Sequence, residues 1–219
     1  RWREMGNQGW GFDDVKPYFE RMETAAVAGR PGRGTSGPMR ITDRLHYDPD
    51  PISDAYIRAC VEAGIPQTED YNTGCMDGVR YLEQTAWRGR RWSTAVAYLR
   101  RPGVAHRPEV RIRAHVTRVV FDGPRATGVE YLVDGVRGCA NARREVILCA
   151  GSVQSPQLLE LSGIGEGQRL QKLGIPVVAD VPGVGENLID HLQVRCTYEC
   201  ALPLTINDLM NSFWIRMGV

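Results

Sequence analysis

Residues 144–165 read REVILCAGSVQSPQLLELSGIG, and no other stretch constrains the fold as much. Val146 to Ala150 is a continuous apolar run, the pattern of a parallel strand covered on both faces. At Gly151 the backbone can approach a neighbour closely or take a positive φ. Ser155 can cap a helix and Pro156 suits its first turn. Leu158, Leu159 and Leu161 are expected to face inward, and Gly163 to end the helix. Strand, glycine and capped helix in that order make a βα unit. In open α/β sheets ligands bind outside the carboxyl ends of strands, and a helix N-terminus there favours an anion such as phosphate. An ordinary structural βα corner carries the same features.

The rest of the chain sets the frame. Its 219 residues suffice for a real core, as one large domain or two small ones. A net charge of +1 gives no nucleic-acid footprint. No stretch approaches the ~18 apolar residues of a membrane span. The opening residues, RWREMGNQGW, lack an initiator Met and a signal-peptide core, and the closing FWIRMGV reads as part of an amphipathic segment. The sequence therefore reads as the middle of a longer chain. Cys60, Cys75, Cys139, Cys149, Cys196 and Cys200 form no paired CxxC motif. They are expected as free thiols in a reducing, cytoplasmic compartment, with peripheral membrane contact open. Cys149, inside the apolar run, is expected to be a small buried hydrophobe.

The patterning changes near Gly103. Before it, a helix is expected from Phe12, capped by Asp13 or Asp14, with Val15, Tyr18, Phe19 and Met22 on one face. MRITD reads as a short strand. Asp50-Pro51 opens a second helix, with Ile52, Ala55, Tyr56, Ala59, Cys60 and Ala63 as its stripe and Gly64 as its end. A third helix follows a Ser93 or Thr94 cap. After Gly103, Val110, Ile112, Ala114 and Val116 alternate with polar residues. ATGVEYLV alternates again, and Asp134-Gly135 offers a turn. These strands form a meander that leads into the βα unit.

Several motifs compete for the chemistry. Gly32, Gly34 and Gly37 spell GxGxxG, but no strand precedes them and Pro38 follows, so a surface loop is the better account. GVGENL, residues 183–188, reads as a tight turn. His191 with Cys196 and Cys200 makes a weak zinc set that lacks a fourth ligand. Ser152 and Ser155 miss the centre of a GxSxG elbow. His46, His106 and His115 read as ordinary surface or strand histidines.

Gly151, Ser152, Ser155, Pro156, Leu158, Leu159 and the closing Ser162-Gly163-Ile164-Gly165 resemble the second signature of the glucose–methanol–choline flavin oxidoreductases. GNQGWGFDDVKPYFERMET, SGPMRITD, GRRWSTAVAYL, RAHVTRVVFDG, ATGVEY and DVPGVGENLIDH fall in that family's order. The resemblance covers nearly the whole chain and looks nearest to the choline-dehydrogenase-like alcohol dehydrogenases. It implies a mixed α/β fold: part of a Rossmann-like FAD-binding domain plus part of a sheet-and-helix substrate domain. The implied division is 1–35 as a covering segment of the FAD domain and 36–90 as substrate domain. Residues 91–190 are then FAD domain, and 191–219 begin a second substrate portion. It further implies an FAD-dependent enzyme that oxidises a small-molecule alcohol, hydride passing to the flavin as a base takes the hydroxyl proton. The electron acceptor is left open. In the family, backbone of the AHV strand meets the adenine, which places Val116 there, and Ala150, Gly151 and Ser152 lie against the ADP half. The family's Gly-rich ADP turn would precede Arg1, and its catalytic histidine matches nothing in this chain. No catalytic or metal residue is therefore assigned, and the chain alone is expected to be inactive. The alternative is a non-catalytic chain of the same fold that binds no flavin. A nicotinamide-dependent dehydrogenase would need a valid Gly-rich turn, which is not found.

Overall fold

The computed structural model describes residues 1–25, 30–43, 50–72, 74, 76–100 and 108–211. Expectations placed on His46, Cys75 and His106 lie outside them. The chain divides into two compact units, Arg1–Pro108 with Thr197–Val219, and Glu109–Cys196. Helices and strands are mixed, as the sequence reading expected.

In the first unit, helix α1 spans Phe12–Met22. Its cap is Gly11 rather than Asp13 or Asp14. Asp14 instead reaches back, its Oδ2 accepting from Gly11 N–H at 2.8 Å and pairing with Arg3. The Phe12, Tyr18 and Phe19 side chains stay exposed. Helix α2, Pro51–Glu62, starts where Asp50-Pro51 predicts, with Asp50 Oδ1 accepting from the Ile52 and Ser53 amides. Its buried face is Ser53, Ile57 and Cys60, so the expected stripe is rotated, and Ile52, Ala55, Tyr56, Ala59 and Ala63 face outward. The third expected helix is a single π-turn, Ala95–Leu99, closed by Arg100 N–H on the Ala95 carbonyl.

The strands of this unit are short. β1 (Glu23–Thr24) pairs in parallel with β2 (Met39–Arg40), and β3 (Thr42–Asp43) runs antiparallel to β4 (Glu83–Gln84). β5 (Ala86–Trp87) and β6 (Arg90–Arg91) form a hairpin. A charge cluster substitutes for the missing sheet. Arg33 is buried and donates to Glu23 at 2.7 and 3.1 Å, to Asp70 at 3.0 and 3.2 Å and to Glu83 at 2.8 Å. Arg30 joins from the same loop, donating to Asp70 and to the Glu69 carbonyl. One guanidinium thus ties the end of α1, the loop at Asp70 and β4 together.

The second unit is a meander with helices on it. β7 (His115–Asp122), β8 (Arg125–Val133) and β9 (Val136–Asn141) pair in sequence order, all antiparallel. The β8–β9 turn is the expected Asp134-Gly135 pair, with φ of 49° and 81° as a type I′ turn needs. β7 begins five residues later than Val110, since Val110 and Ile112 are exposed and Arg113 has a φ of 58°. A bulge at Thr117 breaks the alternation, so Val116 and Val119 both meet the β8 face that carries Tyr131 and Val129. Helix α3, Gly151–Leu161, packs on β7. β10 (Ile164–Gly165), helix α4 (Gly167–Lys172) and β11 (Ala179–Asp180) complete the unit, with β10 and β11 parallel. The core is Val119, Leu158 and Leu170.

The expected strand before α3 is overturned too, as is the inward placing of Leu161, which is 50% exposed. Val146 to Ala150 is not a strand, Ile147 is 73% exposed, and Cys149 is exposed rather than buried. A buried parallel strand needs a neighbour at each edge, and no described strand pairs with this run.

Removing one partner of a buried ion cluster leaves the others desolvated and unpaired. Arg33→Met is expected to cost about 3–5 kcal/mol in urea unfolding. Acid should act on the same cluster. Burial pushes the Asp70 carboxyl up, but the Asn72 amide, Arg30 and Arg33 together hold it below its ordinary value. Its contribution is therefore complete above the unfolded value of about 3.9 and is lost as pH falls through the lower folded one. Thermal midpoints measured from pH 7 downward should hold to about pH 5 and fall below about pH 4, less steeply in the Asp70→Asn variant.

Candidate functional site

The signature stretch divides into a buried half and an exposed half. Ser162, Gly163, Gly165 and Gly167 are buried. Gly163 has a φ of +90°, and a Cβ there would collide with the Pro176 carbonyl. Its own carbonyl accepts from the Val178 amide at 2.8 Å and from the Ala179 amide at 3.2 Å. Ser162 Oγ accepts from Val119 N–H at 2.8 Å and donates to the Leu158 carbonyl at 2.5 Å. Glu160 pairs with Arg169, joining α3 to α4. This half is packing.

The other half faces outward. Ala150, Gly151 and Ser152 are exposed. The helix begins at Gly151, four residues before the expected cap, and Pro156 lies inside it. Ser155 does serve the helix start, but backwards: its hydroxyl accepts from Ala150 N–H at 3.1 Å. No side chain caps the Ala150 end. Gly151 has a φ of +87°, and the space a Cβ would fill is open. The result is a short, uncovered length of backbone at a helix N-terminus, where amides and dipole favour an anionic or flat polar group. Val116, half-buried, lies on β7 in the same unit, and α3 packs on that strand. The structure thus brings the four residues singled out in the sequence into one unit. The sequence reading did not single out Ser162 by itself; its signal was the Ser-Gly that ends the helix.

The competing motifs resolve otherwise. Gly34 and Gly37 sit where a Cβ would strike backbone, of Glu20 and Glu23 for the first and of Met22 and Glu23 for the second. That GxGxxG string is a packing device around Arg33. GVGENL is a turn, with Val184 N–H donating to the Val181 carbonyl. His115, His191, Cys196 and Cys200 are exposed, and among the described residues no cluster could hold a metal. No described helix is long and apolar enough to cross a membrane. A groove of about 730 Å³ in the first unit is lined by Phe12, Phe19, Met39, Ile41 and Tyr71, and none of the four site residues lines it.

The second unit sets an exposed glycine turn that opens a helix beside an antiparallel meander. Residues 1–193 match the family model described as GMC oxidoreductase, and the chain belongs to that family. It is 48% identical over 220 residues to an oxygen-dependent choline dehydrogenase of Rhizobium rhizogenes, covering 100% of this chain and 39% of the relative. It is 41% identical over 211 residues to the mitochondrial choline dehydrogenase of Mus musculus, covering 95% of this chain and 35% of that one. Among solved structures, an FAD-dependent oxidoreductase from Chaetomium thermophilum superposes with a TM-score of 0.72 at 29% identity, over 83% of this chain and 34% of that one. The chain thus spans about two fifths of the length of the curated relatives it matches. The family and its FAD-dependent structural neighbours support FAD as the cofactor.

If Gly34 serves packing, a methyl group there disturbs the fold itself. Gly34→Ala is expected to lose about 1–3 kcal/mol in chemical unfolding, the range of overpacking. Unchanged stability with lost cofactor would show that the loop holds a dinucleotide instead.

Proposed function

We propose that this chain is part of an FAD-dependent alcohol dehydrogenase of choline-dehydrogenase type, which oxidises a small-molecule alcohol to an aldehyde or ketone. The observation that carries the reading is the uncovered Ala150–Ser152 turn in a chain that matches the family along residues 1–193. The names of the relatives support the substrate class. The division of the chain into FAD and substrate portions at residues 35, 90 and 190 belongs to this proposal. So does a cytoplasmic location, which the unpaired thiols of the five described cysteines support.

The residues present fit a backbone cradle for the ADP half of FAD. Gly151 offers room where any other residue would place a Cβ, and its positive φ suits glycine alone at the head of a helix whose first amides would be free for an anion. Ala150 and Ser152 flank it with small side chains that leave the backbone accessible. Val116 contributes through its main chain on β7, so its role depends on the strand more than on its isopropyl group. When bound, FAD supplies the two-electron acceptor, and these residues orient it without touching the alcohol. No residue of this chain is given a catalytic role.

The test is a substitution in the full-length protein. Gly151→Val places two methyl groups where the cradle is open and strains the backbone. The strain costs about 1–2 kcal/mol. The purified variant should keep a folded thermal transition and lose most of its flavin, read as the ratio of absorbance near 450 nm to that at 280 nm. Full flavin content in the variant would sink this assignment of the turn. A colourless wild-type protein that takes up no added FAD would sink the function.

A further inference from the structure

The buried half of the signature has a consequence for the exposed half. Ser162 is 7% exposed, and its hydroxyl is engaged on both sides, accepting from Val119 N–H and donating to the Leu158 carbonyl. Val119 pairs with Val129 of β8, yet its own N–H turns to the helix, so the free edge of β7 is closed by a side chain rather than by another strand. Among the described residues this is the one side-chain hydrogen bond between β7 and the α3 segment. Leu158, one turn earlier on α3, is buried in the same unit. Apolar contact resists separation, but it is not directional and resists sliding and rotation poorly. A hydrogen bond specifies both distance and angle.

The helix carries that constraint to its far end. Helix α3 is eleven residues long, Gly151 to Leu161, so at about 1.5 Å per residue the exposed turn is roughly 15 Å from the serine. A small rotation at the C-terminal end moves the turn by ångströms relative to Val116. We propose that Ser162 is a positioning residue for the flavin. Its hydroxyl locks α3 on β7 in the register that sets the Ala150–Ser152 turn and the Val116 backbone against the same cofactor. The inference rests on the flavin reading given above and assigns Ser162 no contact with the cofactor. The loss of its hydroxyl is therefore felt as weakened flavin binding beyond what lost stability explains.

The experiment uses the full-length protein stripped of flavin, with FAD titrated by fluorescence quenching and the thermal midpoint of the apoprotein measured in parallel. Ser162→Ala removes both hydrogen bonds. Ser162→Cys keeps the shape with a weaker donor and acceptor, and carries the test if the alanine variant does not fold. Leu170→Val, which trims a residue buried to 1% in the same unit, serves as a destabilised control. Ser162→Ala is expected to raise the Kd for FAD about tenfold, Ser162→Cys by less, and Leu170→Val not measurably at a similar midpoint. Wild-type affinity in both serine variants, or an equal loss in Leu170→Val, would overturn the proposal. Failure of the wild-type protein to bind FAD would strike the flavin reading itself, and is seen before any variant is compared.

Discussion

Gly163 has no room for a side chain, and the second unit is organised around that point. The backbone leaves α3 with a φ of +90°, passes beneath the Pro176 carbonyl and enters β10 beside β11. One residue earlier, Ser162 anchors the helix to β7. Two residues later, buried Gly165 packs on Glu160 and Leu170. Each contact is short because a glycine or serine permits it, so helix, meander and parallel pair meet within a few residues. Any larger residue at Gly163 would push the helix from the strand and move everything attached to it.

The first unit solves a different problem. Its strands are two residues long and bury little, and its buried apolar residues are Ile57, Tyr81 and Ala97. Directional charge replaces apolar area. Arg33 spreads five hydrogen bonds over three carboxylates. Arg80 pairs with the fully buried Asp43 at 2.6 Å and donates to the Glu69 carbonyl. The planar guanidinium suits this use because its donors point in fixed directions and its charge is never lost. Gly34 and Gly37 let the loop that carries Arg33 press against the end of α1. The literal fingerprint and the buried arginine are therefore one device, and the glycines serve the arginine.

Local chemistry was legible in the sequence where it acts locally. Asp50-Pro51 starts α2 because a carboxylate can cap amides two and three residues on, whatever surrounds it. Asp134-Gly135 makes its turn for a similarly local reason. The rejection of Gly32, Gly34 and Gly37 as a fingerprint followed from flanking residues alone. What was not legible depends on partners. The stripe on α2 is rotated: Ile57 is buried, whereas Ile52 and Tyr56 keep much of their surface exposed. The period of β7 shifts at Thr117 because a bulge is a property of two strands. In the candidate site, the glycine turn was evident from composition, whereas the role of Ser162 needed Val119, forty-three residues away, to be brought beside it.

Val146 to Ala150 shows the same limit in its clearest form. The run has the composition of a strand buried on both faces, yet Ile147, Cys149 and Ala150 are exposed. Burial is not a property of a segment; it is conferred by what lies on either side. An extended apolar run with open edges is a pairing template, and a strand laid along it would satisfy its amides and cover its side chains at once. The run leads directly into Ala150 and Gly151, so that pairing would also fix the approach to the glycine turn. In the proposed cradle the Ser162 anchor at the far end of α3 fixes one end, and a strand paired along the apolar run would fix the other. A cradle made of main chain has no side chain of its own to hold a ligand in place, and its precision can come only from what fixes its two ends.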